Sequence, residues 1–160
     1  MKGRIVINSS PIILLHKADL EFLLPALFSS IIIPDGVMDE ISVHEEDDVA
    51  SRIRFRSDFT ICKVPLEPLV QAWDLGKGET DVISFAYHDP TYIPVLDDSA
   101  AKACCTAFGL RTLGTGTILI FAKQNSLLRS VREPLEMLRA KGMWIAESVI
   151  DLLCEKAGEK

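Results

Sequence analysis

The sequence predicts an α/β fold in which successive strand-helix units build one largely parallel sheet. Short apolar runs of strand character alternate with helical patterns from one end of the chain to the other, which is typical of βα units. The chain has 160 residues, of which 48% are hydrophobic and 25% charged, so it can bury a sizeable core. The sequence has no internal repeat and no linker, and we therefore predict a single domain over residues 1–160.

The first half of the chain supplies three predicted strands. Residues 4–7 (RIVI) are typical of a strand, and Ser9 or Ser10 can cap the next helix because Pro11 suits its first turn. The pattern then predicts a helix over 19–28, a strand over 30–33, a helix opened by Pro34, a polar helix over 47–58, a strand over 60–64 and a short helix over 67–75.

The second half continues this alternation and ends in helices. Residues 78–88 carry an amphipathic helical pattern, and residues 92–96 are typical of a buried strand. The pattern further predicts a helix over 99–108, a strand over 111–113, a helix that follows the turn at 114–117 and runs to about residue 123, and helices near 130–141 and 146–157.

Composition and patterning exclude several classes of protein. The longest apolar runs, 11–15 and 31–34, are much shorter than the ~18 residues that cross a bilayer, so we expect no membrane span. Polar residues 8–10 interrupt the apolar start of the chain, which argues against a signal peptide and predicts a cytoplasmic protein. The net charge of −6 predicts that nucleic-acid contacts need local cations or metal ions. Cysteines without CxxC spacing favour reduced, buried thiols over a zinc site: Cys62, Cys104, Cys105 and Cys154.

Two carboxylates lie on helix faces where apolar side chains are expected. With about 100° of rotation per residue, Glu79 is central to the apolar face of its predicted helix. Asp81 points away from that face, and we expect it to be solvated near the helix start. The same arithmetic turns Glu40 inward and Asp39 outward. A buried carboxylate is costly unless it pairs with a cation or binds a metal, which makes Glu40 and Glu79 candidate site residues.

A third acidic position follows a buried strand. Asp97 and Asp98 come directly after the strand at 92–96, at the end where parallel sheets place their sites. Any one of these acids alone is more simply a helix cap or a salt-bridge partner. Glu40, Glu79 and Asp98 together offer three hard oxygen donors, which suit Mg²⁺ or Mn²⁺.

Asn8 ends the first predicted strand, where a fourth ligand of such a cluster is expected. Its amide oxygen can ligate a metal but carries no charge. Asn8 can equally cap the helix that begins at the next residues. The sequence leaves these two interpretations open.

Six motifs, in this order and spacing, resemble the PIN domain, and within it a PIN-like subgroup of prokaryotic proteins that begin with Asn-x-Ser-Pro. The resemblance covers nearly the whole chain. The motifs are NSSP at 8–11, IPDGVMDE at 33–40, GETDVI at 78–83, VLDD at 95–98, GTGT at 114–117 followed by Ala122-Lys123, and LRAKG at 138–142.

The resemblance implies a three-layer α/β/α sandwich with a central, mainly parallel sheet. It also implies a nuclease that cuts RNA with bound Mg²⁺ or Mn²⁺, commonly as the toxin of a toxin–antitoxin pair. By position, Glu40, Glu79 and Asp98 match the family's catalytic and metal-binding acids, and Asp97 is a further candidate ligand beside Asp98. Asn8 occupies a metal position where most active members have Asp. The missing negative charge implies weaker metal binding and slower turnover.

The residue types suit this chemistry independently of the resemblance. Carboxylate-bound Mg²⁺ can activate water and neutralise a phosphodiester, so no nucleophilic side chain is needed, and the sequence has no GxSxG motif. The leading hypothesis is a metal-dependent endoribonuclease with an RNA substrate and a small antitoxin partner. The alternative is a weakened PIN-fold module that binds RNA or protein without cleavage. A response-regulator-like domain is disfavoured because the first strand lacks paired acids.

Two surface features predict contacts with partners. Apolar residues on helical patterns favour a homodimer, and these are Phe22, Leu23 and Leu27. A basic rim for RNA is the expected role of Lys102, Lys123 and Arg129.

Overall fold

The computed structural model describes residues 2–43 and 49–160, which contain four strands and ten helices. The strands are β1 (Gly3–Ile7), β2 (Phe28–Pro34), β3 (Phe59–Cys62) and β4 (Ile93–Val95). The helices are α1 (Ser9–Lys17), α2 (Leu23–Leu27), α3 (Asp35–Ser42), α4 (Val49–Arg54), α5 (Pro68–Gln71), α6 (Lys77–His88), α7 (Ser99–Ala107), α8 (Thr115–Gln124), α9 (Arg132–Ala140) and α10 (Glu147–Lys156).

The four strands form one parallel sheet in the order β3-β2-β1-β4. Ile5 of β1 pairs with Ile31 of β2 on one side and with Ile93 of β4 on the other. Ile31 in turn pairs with Phe59 of β3. Because all strands run in the same direction, their carboxyl ends lie at one edge of the sheet. The residues that directly follow the strands therefore lie at this edge too.

Helices cover both faces of the sheet, which confirms the predicted three-layer α/β/α sandwich. Ile5, Val6 and Ile7 of β1 are all inaccessible to solvent, although successive side chains of a strand point to opposite faces. Burial on both faces explains why β1 and β2 end in continuous apolar runs, IVI and IIIP, rather than alternating ones. On the helix side, α3 packs against α6 and α8 packs against α10.

Three elements are much shorter than predicted. The predicted helix at 19–28 is only α2, because Asp19 takes a positive φ of 55° after α1 and Phe28 already belongs to β2. The predicted strand at 111–113 is a single bridge between Leu113 and Val95. The predicted helix at 67–75 shrinks to α5, and Asp74 takes a positive φ of 53° beyond it.

Two further predictions concern the surface and the polar helix at 47–58. Within the described residues this helix is α4, and positions 47 and 48 lie outside them. The expected exposure of Leu23 is wrong: it is fully buried, because α2 packs against β2, whereas Phe22 remains 44% exposed. All four cysteines are free. In the part of the chain that the structure describes, no helix has the length and apolar character needed to cross a membrane.

Candidate active site

Polar side chains gather where β1 and β4 end. Asn8 follows β1, and Asp97 and Asp98 follow β4 within three residues. Two helices that pack on each other bring the other acids, Glu40 from α3 and Glu79 from the first turn of α6. Residues far apart in sequence thus lie at the same edge of the sheet, because β1, β4 and the α3–α6 contact all end there.

Asn8 is the N-cap residue of α1, yet its side chain makes no capping hydrogen bond. The residue is only 5% exposed, and its Oδ1 atom has no hydrogen-bond partner within the described residues. Its backbone N–H donates to the Val95 carbonyl at 3.1 Å, which fixes the end of β1 to β4. A buried amide oxygen without a donor costs free energy, so this geometry favours a ligand position over the capping role.

The Glu40 carboxylate is held by two donors from different elements. The Ser9 hydroxyl donates to Oε2 at 2.6 Å, and the Gly78 backbone N–H donates to Oε1 at 2.8 Å. These bonds connect α3 to the starts of α1 and α6. Glu40 therefore points inward as predicted and is fixed in direction rather than free to rotate.

Gly78 lets the backbone of α6 approach these oxygen atoms closely. A Cβ at this position would lie 2.7 and 2.8 Å from the Glu40 carboxylate oxygens and 2.9 Å from Asn8 Oδ1. Any side chain here would displace at least one of them. The same measurement shows that Asn8 Oδ1 and the Glu40 carboxylate share one small space.

Glu79 belongs to the same electrostatic neighbourhood. Its Oε2 atom accepts a hydrogen bond from the Gly76 N–H at 3.2 Å and so closes the start of α6. Burial raises the pKa of Glu79, the Gly76 hydrogen bond opposes this, and the negative charges of Asp98 and Glu40 raise the pKa further. Three carboxylates thus repel one another at this edge.

The two acids after β4 have different surroundings. Both oxygens of Asp97 bind Thr115 at the start of α8, Oδ1 through the backbone N–H at 2.8 Å and Oδ2 through the hydroxyl at 2.6 Å. Asp98 is the exposed N-cap of α7, where its Oδ2 accepts from the Ala101 N–H at 2.9 Å. Asp98 therefore keeps one oxygen for another partner, whereas Asp97 fixes the loop to α8.

The prediction that Asp81 is solvated is wrong. Asp81 is 7% exposed and accepts a hydrogen bond from the Gly36 N–H at the start of α3, at 3.0 Å. The helical wheel placed it away from the apolar face, but α3 packs on that side of α6 and supplies a donor. Asp39 does face outward and pairs with Lys77 at 2.7 Å.

The oxygen donors at this edge are of the chemical kind that binds divalent cations, although they are not drawn together around one. Among residues 2–43 and 49–160, no three histidine, cysteine, aspartate or glutamate side chains stand close enough to hold a metal ion. The fit rests on Asn8 Oδ1, a buried hard oxygen without a donor, beside the carboxylate of Glu40. An oxygen-only set of this kind is the one that Mg²⁺ and Mn²⁺ prefer.

Sequence reasoning missed two contributors to this edge. Ser9 was considered only as a helix cap, but it lies inside α1 and binds Glu40. Gly78 carried no signal beyond its place beside Glu79. Lys102 was expected at the rim, and its Nζ lies 3.2 Å from the point where a Gly114 Cβ would stand, as does Asp97 Oδ1. Lys123, by contrast, lies in the last turn of α8 and pairs with Glu159 at 3.0 Å.

Comparison with known proteins finds a family model that covers nearly the whole chain. A family model described as DUF3368, a PIN domain, matches residues 4–159. No curated protein matches the chain significantly.

Proposed function

We propose that this chain, which belongs to the PIN-domain family and has its nuclease-type fold, is a metal-dependent endoribonuclease that hydrolyses RNA phosphodiesters in the cytoplasm. One observation carries the proposal. At the edge where parallel sheets place their sites, the buried amide oxygen of Asn8, which has no donor within the described part of the chain, shares one space with the Glu40 carboxylate. The negative charges of Glu40 and Asp98 both act on the nearby Glu79 carboxylate.

Four residues would hold the cation: Asn8, Glu40, Glu79 and Asp98. A bound Mg²⁺ or Mn²⁺ supplies charge neutralisation at the phosphate and lowers the pKa of the attacking water. Asp97 would not hold the cation directly, because both of its oxygens already accept hydrogen bonds from Thr115. It would keep the loop after β4 in place beside α8. Ser9 and Gly78 position Glu40 through their two hydrogen bonds.

The proton chemistry is assigned to Glu79. Burial and the charges of Asp98 and Glu40 raise the pKa of Glu79 while the site holds no cation, and a bound cation would lower it again, so its carboxylate would be ionised and able to accept a proton. Glu79 would accept the proton of the attacking water, and Asp98 and Glu40 would help to hold the cation that activates it. Lys102, near Asp97, places a positive charge where the RNA backbone would pass.

The toxin role, the small antitoxin partner and the homodimer are part of the same proposal. Exposed aromatic side chains support a protein partner, since Phe55 is 91% and Trp144 89% exposed. Light scattering of the pure protein tests the dimer. Co-purification with the product of a small adjacent reading frame tests the antitoxin, and a monomer that binds no such product contradicts this part.

A second candidate function is RNA or protein binding without cleavage. It is favoured by the neutral Asn8 in place of a carboxylate, which reduces the negative charge available to a cation. It is also favoured by the hydrogen bonds that each acid already makes with the protein. In this case the fold would persist while turnover is absent.

Cleavage of single-stranded RNA in Mn²⁺ and in EDTA distinguishes the two functions. The nuclease proposal expects metal-dependent cleavage by the wild type, faster cleavage by Asn8→Asp, and a loss of about 100-fold or more in Glu79→Gln. Mn²⁺ should raise the melting temperature of Asn8→Asp more than that of the wild type, because the added carboxylate increases both repulsion and metal affinity.

Asp39→Asn is the matched control, since Asp39 neighbours Glu40 on α3 but faces solvent. It should cleave RNA as the wild type does. Absence of cleavage by both the wild type and Asn8→Asp, with RNA still bound, would establish the binding module instead. A melting temperature that Mn²⁺ shifts equally in the wild type and Glu79→Gln would remove the proposed metal site.

A further inference from the structure

A concave surface lies at the opposite edge of the sheet from the candidate active site. It encloses about 530 Å³, a volume typical of pockets for small ligands. Its walls come from the starts of β1, β2 and β4, from the end of α2, from residues 111–113 and from the last half of α8. None of the proposed metal-binding residues contributes to it.

Two charged residues line this cavity, and both are positively charged. Lys2 and Arg111 line it, and no acidic side chain does. Neither cation makes a salt bridge within residues 2–43 and 49–160. Arg4, a neighbour on β1, is already engaged, because its guanidinium lies 4.1 Å from the Tyr92 ring centroid and donates to Tyr92. Two cations without partners at one concave surface attract an anion, and arginine suits phosphate in particular.

The floor of the cavity is apolar and partly aromatic. Phe28, which is 7% exposed, and Phe121 line it, with Leu27, Ile93 and Leu113 around them. Aromatic rings of this kind stack with nucleobases. At the rim, Asn125 Nδ2 donates to the Phe121 carbonyl at 2.8 Å, which leaves its Oδ1 as an acceptor for the edge of a base.

We propose that this cavity binds a nucleoside monophosphate, with the phosphate at Lys2 and Arg111 and the base on the aromatic floor. A free nucleotide and the 5′-terminal nucleotide of an RNA carry the same chemistry. Binding needs neither a metal ion nor the carboxylates of the other edge. The proposal therefore holds or fails independently of the proposed nuclease activity.

Calorimetric titration in EDTA tests the site with four probes: adenosine 5′-monophosphate, adenosine, inorganic phosphate and a 5′-phosphorylated RNA trinucleotide. We expect adenosine 5′-monophosphate to bind at one site, about tenfold or more tightly than adenosine or phosphate alone. A trinucleotide that binds more tightly than the mononucleotide identifies an RNA end as the ligand. The reverse order identifies a free nucleotide.

Three variants locate the binding. Arg111→Glu should weaken it about tenfold or more, because it replaces the phosphate partner by a like charge. Lys156→Glu makes the same charge change on the exposed face of α10, and Glu79→Gln alters the other edge; both should bind as the wild type does. Absence of binding at millimolar nucleotide, equal binding of phosphate alone, or equal weakening by Lys156→Glu overturns the proposal. Unchanged binding in folded Arg111→Glu overturns it too.

Discussion

Two regions of the molecule set a carboxylate against the start of a helix, with opposite electrostatic results. Near the end of the chain, Glu159 accepts hydrogen bonds from the backbone N–H groups of Val131 and Arg132 and from the Ser130 hydroxyl, and it pairs with Lys123 at 3.0 Å. Burial raises the pKa of Glu159, but the Val131 hydrogen bond and Lys123, with the other donors, lower it to about 2.

At the carboxyl edge of the sheet, Glu79 has the contrary surroundings. Burial raises its pKa, one hydrogen bond from Gly76 opposes this, and its charged neighbours are Asp98 and Glu40 rather than a cation. A carboxylate that serves the fold is surrounded by donors and paired with a positive charge. Within the described residues Glu79 has one donor and no cation beside it, so its ionised form costs free energy in the folded protein. A perturbed carboxylate of this kind is typical of a ligand-binding or catalytic position.

The largest expected effect separates the two acids by activity. Glu79→Gln should reduce RNA cleavage about 100-fold or more, because it removes the proposed base. The same change should leave the free energy of unfolding unchanged or slightly higher, since one of three mutually repelling charges disappears. Single-turnover cleavage and urea unfolding in EDTA measure the two quantities. If the free energy of unfolding of Glu79→Gln is lower by several kcal/mol, Glu79 stabilises the fold as Glu159 does, and the two acids do not differ in role.

Glu159→Gln should show the reverse pattern. It should lower the free energy of unfolding by about 2–4 kcal/mol, because it weakens several charge-assisted hydrogen bonds and leaves Lys123 without its partner. Cleavage per folded molecule should stay within about twofold of the wild type. Urea unfolding and cleavage measured on the same preparation test this. Loss of cleavage without loss of stability would show instead that Glu159 contributes to the candidate active site.

Gly78→Ala tests the close approach of α6 to the Glu40 carboxylate, and its expected effect on cleavage is smaller than that of Glu79→Gln. Alanine normally favours a helix over glycine by about 1 kcal/mol. Here its Cβ would displace the Glu40 carboxylate, so we expect cleavage to fall about tenfold and Mn²⁺ to stabilise the protein less. Melting curves with Mn²⁺ and cleavage rates are the measurements.

The double variant Gly78→Ala with Glu40→Asp is the companion test, because the shorter carboxylate makes room for the added methyl group. It should recover part of the lost metal response. If Gly78→Ala alone responds to Mn²⁺ as the wild type does, Glu40 and Gly78 do not share the site.

The smallest expected effect is on the pH dependence of stability. The pKa of Glu159 is depressed in the folded state, so its contribution to stability is present above the unfolded pKa and is lost as pH falls toward about 2. The stability difference between the wild type and Glu159→Gln should therefore be largest near pH 6 and narrow steadily below pH ~4.5. Urea unfolding at a series of pH values measures it. A difference that does not change with pH would mean that Glu159 acts through shape rather than charge.

Much of the candidate site follows from local pattern. The wheel positions of Glu40 and Asp39 hold in the structure, and Asn8, Asp97 and Asp98 follow their strands as predicted. Strand ends in a parallel sheet share an edge whatever the details of packing, so this part needed only the order of elements. The convergence of these side chains on a metal stays a prediction.

The sequence by itself determined the alternation of strands and helices, because apolar periodicity reports which face of each element is buried. Tertiary structure alone decided what each face meets. Asp81 is buried because α3 supplies the Gly36 N–H, and Asn8 Oδ1 lacks a donor because the close approach of Gly78 and Glu40 offers it none. These contacts join residues more than 30 positions apart. Periodicity gives the angle of a side chain about its own helix, and only packing gives its neighbour.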